Sequence, residues 1–515
     1  MVQVTMKTPY ASAMPYVSAL PDGVDEYNAQ RIASYDLYDD LYTTDPATLR
    51  SMMEVSDETA ARFLPLAQTI VDTMARFVGK SWRYNILAEF GTPAEQEAAK
   101  EAFAMLFRRE RMVSKYVSMK PELIRRGDAV WYVRADPDKA EGSRISISTV
   151  DPRSYFPITD ADDPDRTIGA MLIEEFIDED GETPVTKVQR WLKPSHPEHP
   201  QYETGEFISY EMSILEIGTA FDEEPKVIRT PVPIDILEGI RQIPLYHIRN
   251  REQSQNPFGR SDLTGLESLC AGVSQSLTDE DTAIAMAGLG MFATDSGAPK
   301  DDEGNETDWI LGPNRVVEID RGAKFERVNG VASTEASQSH IRLIEDRAYG
   351  SLGISDIATG IKVDGMAGAF SGVALAIRMQ PIMDAADQKD SAINGIMSQM
   401  FYDLKDWFSA YEGINLGEVQ IESWSSATDR VPFDRQQAWS ELMDGYNSGV
   451  FSLKYVQAQL ANRFGYGFDY QDEATVVERD DLEEARSEWF ARNGMDSVGA
   501  NVSMDNRMAA ERALS

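Results

Sequence analysis

Few residues in this 515-residue chain have the type and spacing to do chemistry. Ser371 stands in Gly368-Ala369-Phe370-Ser371-Gly372 and invites a nucleophile reading. A nucleophile elbow needs one residue between glycine and serine, on a sharp strand-to-helix turn. Here Ala369 and Phe370 both intervene, and a glycine-rich stretch precedes them rather than a strand. Ser371 therefore reads as the N-cap of the long apolar run that follows. The four histidines are His196, His199, His247 and His340, and none neighbours a base and its orienting partner in sequence. His196-Pro-Glu-His199 offers a metal edge, but the surrounding prolines and lack of nearby cysteine point to a surface loop. Asp160, Asp162, Asp163 and Asp165 resemble a calcium turn without the spaced glycine and terminal glutamate of an EF-hand. Gly79-Lys80-Ser81 lacks the upstream glycine of a phosphate loop and ends a helical pattern instead of opening one. No catalytic residue, metal or cofactor is expected. The enzymatic alternative is a soluble acidic hydrolase using Ser371 or the acidic turns.

Composition sets further limits. The length predicts two to four domain-sized units, and 42% hydrophobic residues suffice for sizeable cores. Cys270 is the sole cysteine, so no disulfide framework forms within the chain. No apolar run approaches the roughly 18–20 residues that span a bilayer. The N-terminal stretch is a poor signal peptide, so the chain is expected to be soluble and not exported by that route. With 86 acidic against 49 basic residues the net charge is −37. Phosphate neutralisation supplies most non-specific DNA affinity, so extensive grip on DNA is disfavoured. DNA passing an acidic wall without sticking is compatible with that charge, as is simple solubility.

The periodicities that would position these residues fall in a definite order. Residues 1–29 read as an irregular arm, and the pattern is helical from Gln30 to about Gly127. Phe63, Leu66, Ile70, Met74 and Phe77 form one stripe, with Gly79 as its C-cap. Ala99 to Val117 predicts a second helix burying Phe103, Leu106, Met112 and Val113. Strands are predicted at 129–133, 145–150, 170–176 and 185–191, then at 243–250. Residues 30–250 are thus α+β, helices first and then a mostly antiparallel sheet. Ser261 or Asp262 caps a helix lined by Leu263, Leu266, Cys270, Val273 and Leu277. Residues 291–332 break the helical pattern, with short strands at 309–311 and 316–319 about a Gly-Pro-Asn turn. A second helix starts at Ser333 or Thr334 and shows Ile341, Ile344, Ala348 and Leu352 on one face. A glycine-rich stretch follows. From Ser371 a long helix runs to Trp407 or Ala410, with Val373, Ile377, Ile393, Ile396, Met400 and Leu404 on its apolar face. Pro381 lies inside it and should kink it. Residues 431–515 read as helical and highly charged.

This order, with its motifs, resembles the portal proteins of tailed bacteriophages, especially the siphophage type, over roughly residues 30–480. RGDAVWYV (126–133) and VDPRSYFPITD (150–160) are similar to that family's glycine–aspartate strand and the aspartate–proline element after it. IPLYHIRN (243–250) with NPFGRSDLTGLESL (256–269) looks like its strand, Gly-x-Ser-Asp and following helix. GISDIATG (353–360) and GAFSGVALAIRMQPIMDAADQKD (368–390) look like its loop and kinked helix. The resemblance implies an α+β portal fold with long helices dominant. Its parts would be a wing (30–261), stem helix one (262–290), a clip (291–332) and stem helix two (333–352). A tunnel loop (353–371), a kinked wing helix (372–405) and a helical crown with C-terminal tail (406–515) would follow. It implies a homo-oligomeric ring, usually of twelve copies, at one capsid vertex of the virion, assembled in the host bacterial cytoplasm. That ring would conduct double-stranded DNA during packaging and ejection and join head to tail. Its partners would be the major capsid protein, the terminase large subunit (the packaging ATPase) and a head–tail connector or adaptor, with no membrane. Lys362, Val363, Asp364, Gly365, Met366, Ala367 and Gly368 would be the DNA-channel loop. Ser371, Gly372 and Pro381 would be its cap and hinge, and Trp309, Asn314 and Arg315 would dock partners in the clip. From the residues alone the loop reads as an ordinary surface loop, and only the resemblance makes it a DNA-channel loop; another phage head or connector protein is the alternative within the same class.

Overall fold

The computed structural model describes residues 24–456 except 56–59, 80, 88, 89, 161, 164, 178–183, 217–226, 234–238, 254, 255, 290, 299–320, 329–334, 361–371, 427–434, 449, 450 and 452–454. The described residues are mixed helix and sheet, as the α+β expectation had it.

Helix α1 (Val24–Thr43) opens the described chain, so residues 24–29, expected as irregular arm, are helical. The short α2 (Pro46–Ser51) is set by Asp45, whose carboxylate accepts from the Thr48 amide at 2.9 Å, and by Pro46 in the first turn. In α3 (Leu66–Phe77) Leu66, Ile70, Met74 and Phe77 of the expected stripe are buried, while Phe63 precedes the helix and is half-buried. The helix ends in extended backbone at Val78, and Gly79 is not its cap. Gly79 serves close approach: a Cβ there would stand 2.5 Å from the Ser425 Cβ.

Strand β1 (Ser81–Ile86) interrupts the stretch expected to be all helix. Helix α4 (Pro93–Arg109) starts on a capping box, with the Thr92 amide donating to Glu95 at 2.7 Å. Arg111, left-handed at φ 50°, separates it from α5 (Met112–Arg126). The expected single helix over 99–117 is therefore two. The change of axis buries Met112 but leaves Val113 46% exposed, against expectation.

Gly127 (φ 94°) closes α5 and delivers the chain into β2 (Asp128–Ala135). Then come β3 (Ile145–Val150), β4 (Tyr155–Thr159), β5 (Thr167–Ile177), β6 (Pro184–Leu192), β7 (Ser209–Glu216), β8 (Val227–Pro233) and β9 (Leu245–Arg249). They make two antiparallel sheets, ordered β3-β2-β9 and β4-β5-β6-β7-β8. β2 is central and pairs Trp131 with Thr149 on one side and Tyr246 on the other. Phe156, Met171, Ile173 and Val188 pack on Ile32 of α1.

Helix α6 (Glu267–Leu289) begins at Glu267, not at Ser261 or Asp262. It leads into β10 (Met291–Thr294), which pairs antiparallel with β11 (Phe325–Val328), and α7 (Glu335–Ser351) follows. An antiparallel pairing makes the chain enter and leave at one end, and α6 and α7 pack together, with Gln338 donating to Glu280 at 3.0 Å. The strands expected at 309–311 and 316–319 lie outside the described residues. The one-turn α8 (Asp356–Thr359) precedes α9 (Gly372–Trp407), which is helical without a break through Pro381. A π turn (Phe408–Glu412) ends it. β12 (Ile421–Ser426) then pairs with β1 from Ser81↔Ser426 to Ile86↔Ile421. Residues 406–426 thus include a strand whose partner lies far away in sequence, and they fall in one compact unit with residues 381–405.

Two compact units result, 1–363 with 381–426, and 364–380 with 427–515. Among the described residues of the second, α10 (Arg435–Asn447) buries Leu442 with Val456, against Tyr446 and Phe451.

An aromatic cluster holds the helices to β1. The Phe401 ring, fully buried on α9, lies 4.8 Å from Trp82, 5.5 Å from Phe103 and 5.4 Å from Phe107 between centroids. Truncating such a side chain removes its burial and leaves a cavity. Phe401→Ala is expected to destabilise the first unit by about 3–5 kcal/mol in urea unfolding followed by tryptophan fluorescence; a loss under about 1 kcal/mol would show the cluster to be peripheral.

Candidate functional site

The residues quoted for their order along the chain converge in space. Asn250 follows β9 fully buried, and its side-chain amide nitrogen donates to the Arg260 carbonyl at 2.8 Å and to Asp262 Oδ1 at 3.0 Å. Its side-chain oxygen accepts from Lys389 Nζ of α9 at 2.8 Å. The same ammonium reaches Asp262 Oδ1 at 2.9 Å, where Arg251 also binds at 3.1 Å. Asp262 and Lys389 are almost wholly buried. Burial holds the Lys389 ammonium below lysine's usual range, and Asp262 pulls it back up.

Glycine makes this approach possible. A Cβ on Gly259 would stand 2.6 Å from the Asn250 nitrogen, and one on Gly127 2.6 Å from the Arg260 carbonyl carbon. The backbones instead bond directly: Asn250 N to Gly127 O at 2.8 Å and Arg260 N to Asn250 O at 2.7 Å. Beside them Asp128, fully buried, accepts from His247 Nε2 and the Gly259 amide, each at 2.7 Å, and from the Tyr35 hydroxyl of α1. Arg31 crosses over this group, 4.1 Å from the Phe258 ring centroid, and donates to the Pro152 carbonyl at 2.8 Å.

Lys389 has a neighbour that works in the opposite sense. Asp390 accepts from the Gly79 amide at 3.0 Å and from Ser425 Oγ at 2.8 Å. Lys120 of α5 donates to the Ala75, Val78 and Gly79 carbonyls at 3.0–3.3 Å, closing the end of α3. Successive residues of a helix point about 100° apart, so the Lys389-Asp390 pair binds α9 to two buried sites at once. Farther along α9, Asp403 accepts from the Tyr246 hydroxyl of β9 at 3.1 Å. Burial pushes the Asp403 carboxyl up to about 6, opposed by that bond and by Lys193 and Lys405, and reinforced by Asp406.

This constellation holds elements together and offers no reacting pair. His247 and Asp128 resemble half of a charge relay, but the third partner is a tyrosine hydroxyl already committed to the same carboxylate. His196 and His199, expected on a surface loop, are buried, and each accepts through Nδ1 from the backbone two residues on. Asp160 and Asp163 likewise accept from Asp162 and Asp165, as turn residues do. Among the described residues no group of three or more His, Cys, Asp or Glu is placed to hold a metal, and no helix is long and apolar enough to cross a membrane. Burial pushes the Cys270 thiol up to about 12, as befits a packing residue.

Lys362, Val363, Asp364, Gly365, Met366, Ala367, Gly368 and Ser371, and Trp309, Asn314 and Arg315, all lie outside the described residues. Gly372 opens α9. Pro381 packs on the turn after α7: a Cβ on Gly353 (φ 71°) would stand 2.9 Å from the proline Cβ. Roles for Asn250, Lys389 and Asp128 do not follow from the sequence, and Asp262, expected as a helix cap, instead binds Asn250 and Lys389. The available signal was a set of polar residues set into apolar runs, because a buried polar group needs a partner.

No protein-family model matches the chain, and no curated protein does. Among solved structures it is similar to a chain in the neck of a native gene transfer agent particle computed with C12 symmetry, at 10% identity and a TM-score of 0.39, covering 77% of this chain and 89% of that one. It is also similar to a chain in the virion of a native gene transfer agent particle, at 11% identity and a TM-score of 0.36, covering 88% and 95%.

Breaking a buried pair leaves an uncompensated charge. Lys389→Met is expected to cost about 3–5 kcal/mol in urea unfolding, and adding Asp262→Asn should recover part of that loss; equal losses in the single and double variants would mean that the ion pair is not what joins α9 here. Asp403 titrates higher folded than unfolded, so the folded chain binds the extra proton and stability falls as pH rises from about 4 to about 6. Asp403→Asn is expected to exceed the parent by up to about 3 kcal/mol at pH 7, with the gap closing toward pH 4. A gap independent of pH would refute the assignment.

Proposed function

We propose that this chain is a non-enzymatic portal protein. Copies form a ring at one capsid vertex of a virion, and double-stranded DNA passes through the ring during packaging and ejection. The observation that carries the reading is the order of parts. An α+β region precedes two packed helices, α6 and α7, that bracket a β ribbon; a glycine-rich stretch and the long α9 follow. The motifs behind the resemblance to tailed-phage portals also have a common physical reason, since Gly127-Asp128, Asn250, Gly259 to Asp262 and Lys389 meet in one clasp. In this reading α6 and α7 form the stem and residues 291–332 the clip, where Trp309, Asn314 and Arg315 meet the packaging ATPase and then a connector protein. The sheets and α9 belong to the wing, which meets the major capsid protein.

The proposed DNA contact is Lys362 to Gly368. A conduit needs contacts that neither read bases nor hold phosphates for long, because base-specific contacts would arrest sequence-independent transport. One lysine among glycines satisfies that need at low cost in drag. Particle symmetry in negative-stain images of the purified chain tests the reading. Closed rings with an axial channel are expected, twelvefold by resemblance; persistent monomers would sink the proposal, and rings without an axial channel would favour a connector protein. Deleting residues 361–368 should leave rings intact and reduce packaged DNA severalfold in a packaging assay. Unimpaired packaging would remove the loop's role.

A further inference from the structure

The corner between α4 and α5 carries a groove of about 580 Å³. Phe107, Met112, Val113 and Val117 line it, and Arg108 and Arg111 form its rim. Val113 and Val117 are each 46% exposed, one turn apart on α5. An apolar stripe that faces water on an otherwise well-packed helix pair marks a contact surface. Both rim arginines are exposed on a chain of net charge −37.

We propose that this groove takes a second copy of this chain, and that the copy inserts the outer face of its β1–β12 ribbon, Trp424 with Glu422. This rests on the ring reading above and gives that ring one of its contacts. Three observations select the occupant. A copy of this chain is the acidic partner that a basic rim calls for. The groove cannot meet itself, because a two-fold contact would set Arg108 and Arg111 against their own images. The ribbon has a suitable knob. Side chains alternate along a strand, so Trp82 and Tyr84 turn toward Phe107 while Arg83, Asn85, Glu422 and Trp424 face outward. Trp424 is 37% exposed, with Glu422 exposed two residues before it on the same face and Arg83 paired across from it. Tryptophan anchors of this kind dominate interface energies. Phe107 of the groove packs on the inner face of the ribbon through Trp82 and Tyr84, whereas Trp424 is on the outer face; two different patches that meet make a head-to-tail contact, which closes into a ring when the rotation permits.

The full chain and its Val113→Asp/Val117→Asp and Arg108→Glu/Arg111→Glu variants would be sized by mass photometry over a concentration series. Thermal melting would accompany each, since all four positions are exposed and the fold should survive. The expected result is assembly of the parent and an assembly midpoint raised at least tenfold in both variants at unchanged melting. Glu422→Arg should partly restore the arginine-reversed variant. Singly substituted Val117→Cys and Trp424→Cys chains should cross-link when mixed, and Val117→Cys alone should not. A parent that assembles with variants that assemble equally overturns this contact and leaves the ring standing. A parent that stays monomeric overturns the ring and the contact together. Assembly lost in the variants without cross-linking to Trp424→Cys overturns the ribbon as occupant.

Discussion

The first compact unit of this chain turns on one buried ammonium. Lys389 satisfies Asn250 and Asp262 together, and through them ties α9 to the end of β9 and to the turn that launches α6. A buried ion pair contributes little net stability over an apolar substitute, since desolvation offsets its attraction. It does dictate geometry, because an ammonium held by two fixed acceptors admits one arrangement of the three segments. The neighbouring Asp390 adds a second direction through Gly79 and Ser425. An unbroken helix with anchors at adjacent positions can neither slide nor rotate without leaving a buried charge unpaired. That is a sound way to fix a long element whose first turns adjoin a glycine-rich stretch.

Much of the fold was legible because it obeys short periods. The α3 stripe and the run from Ala129 to Val133 bury as their spacing required. β1 was missed for a physical reason. Its alternation of Trp82 and Tyr84 with Arg83 and Asn85 is a period-two signal, but strand pairing decides such a segment and its partner is Ile421–Ser426. No turn chemistry links segments so far apart. The division at Arg111 was invisible for another reason: a left-handed arginine carries none of the marks that glycine or proline would leave. Gly79 followed a helix and was read as its cap, whereas the space beside Ser425 is what requires it.

The candidate site was legible as a set of words without their syntax. Asn250, Gly259, Ser261, Asp262 and Lys389 stood in motifs quoted for their order, and nothing local revealed that they touch. Polar residues bordering an apolar strand suggest a buried network, but identifying the members needs the topology that sets β9 beside β2 and both beneath α9. Nucleophile-elbow and metal-loop spacings, by contrast, are local properties of sequence. Ser371 failed its spacing test independently of any coordinates.

The arrangement of charge bears on what the surface can do. Cations that might have gripped phosphate are turned inward. Lys120 serves three carbonyls, Arg31 bonds Pro152 and covers Phe258, Arg126 and Arg153 join Asp39, Asp151 and Asp36, and Arg144 binds the Tyr411 carbonyl. Each such use withdraws a positive group from solvent, on a chain with 49 basic against 86 acidic residues. In the ring proposed above, duplex DNA beside such a surface would meet repulsion over about a Debye length, roughly 8 Å at physiological salt, and would move freely provided that attractive contacts were sparse. The same scarcity gives an exposed arginine pair its specificity: on so acidic a chain, a basic rim around an apolar groove discriminates strongly in favour of another acidic surface, and copies of the chain supply one.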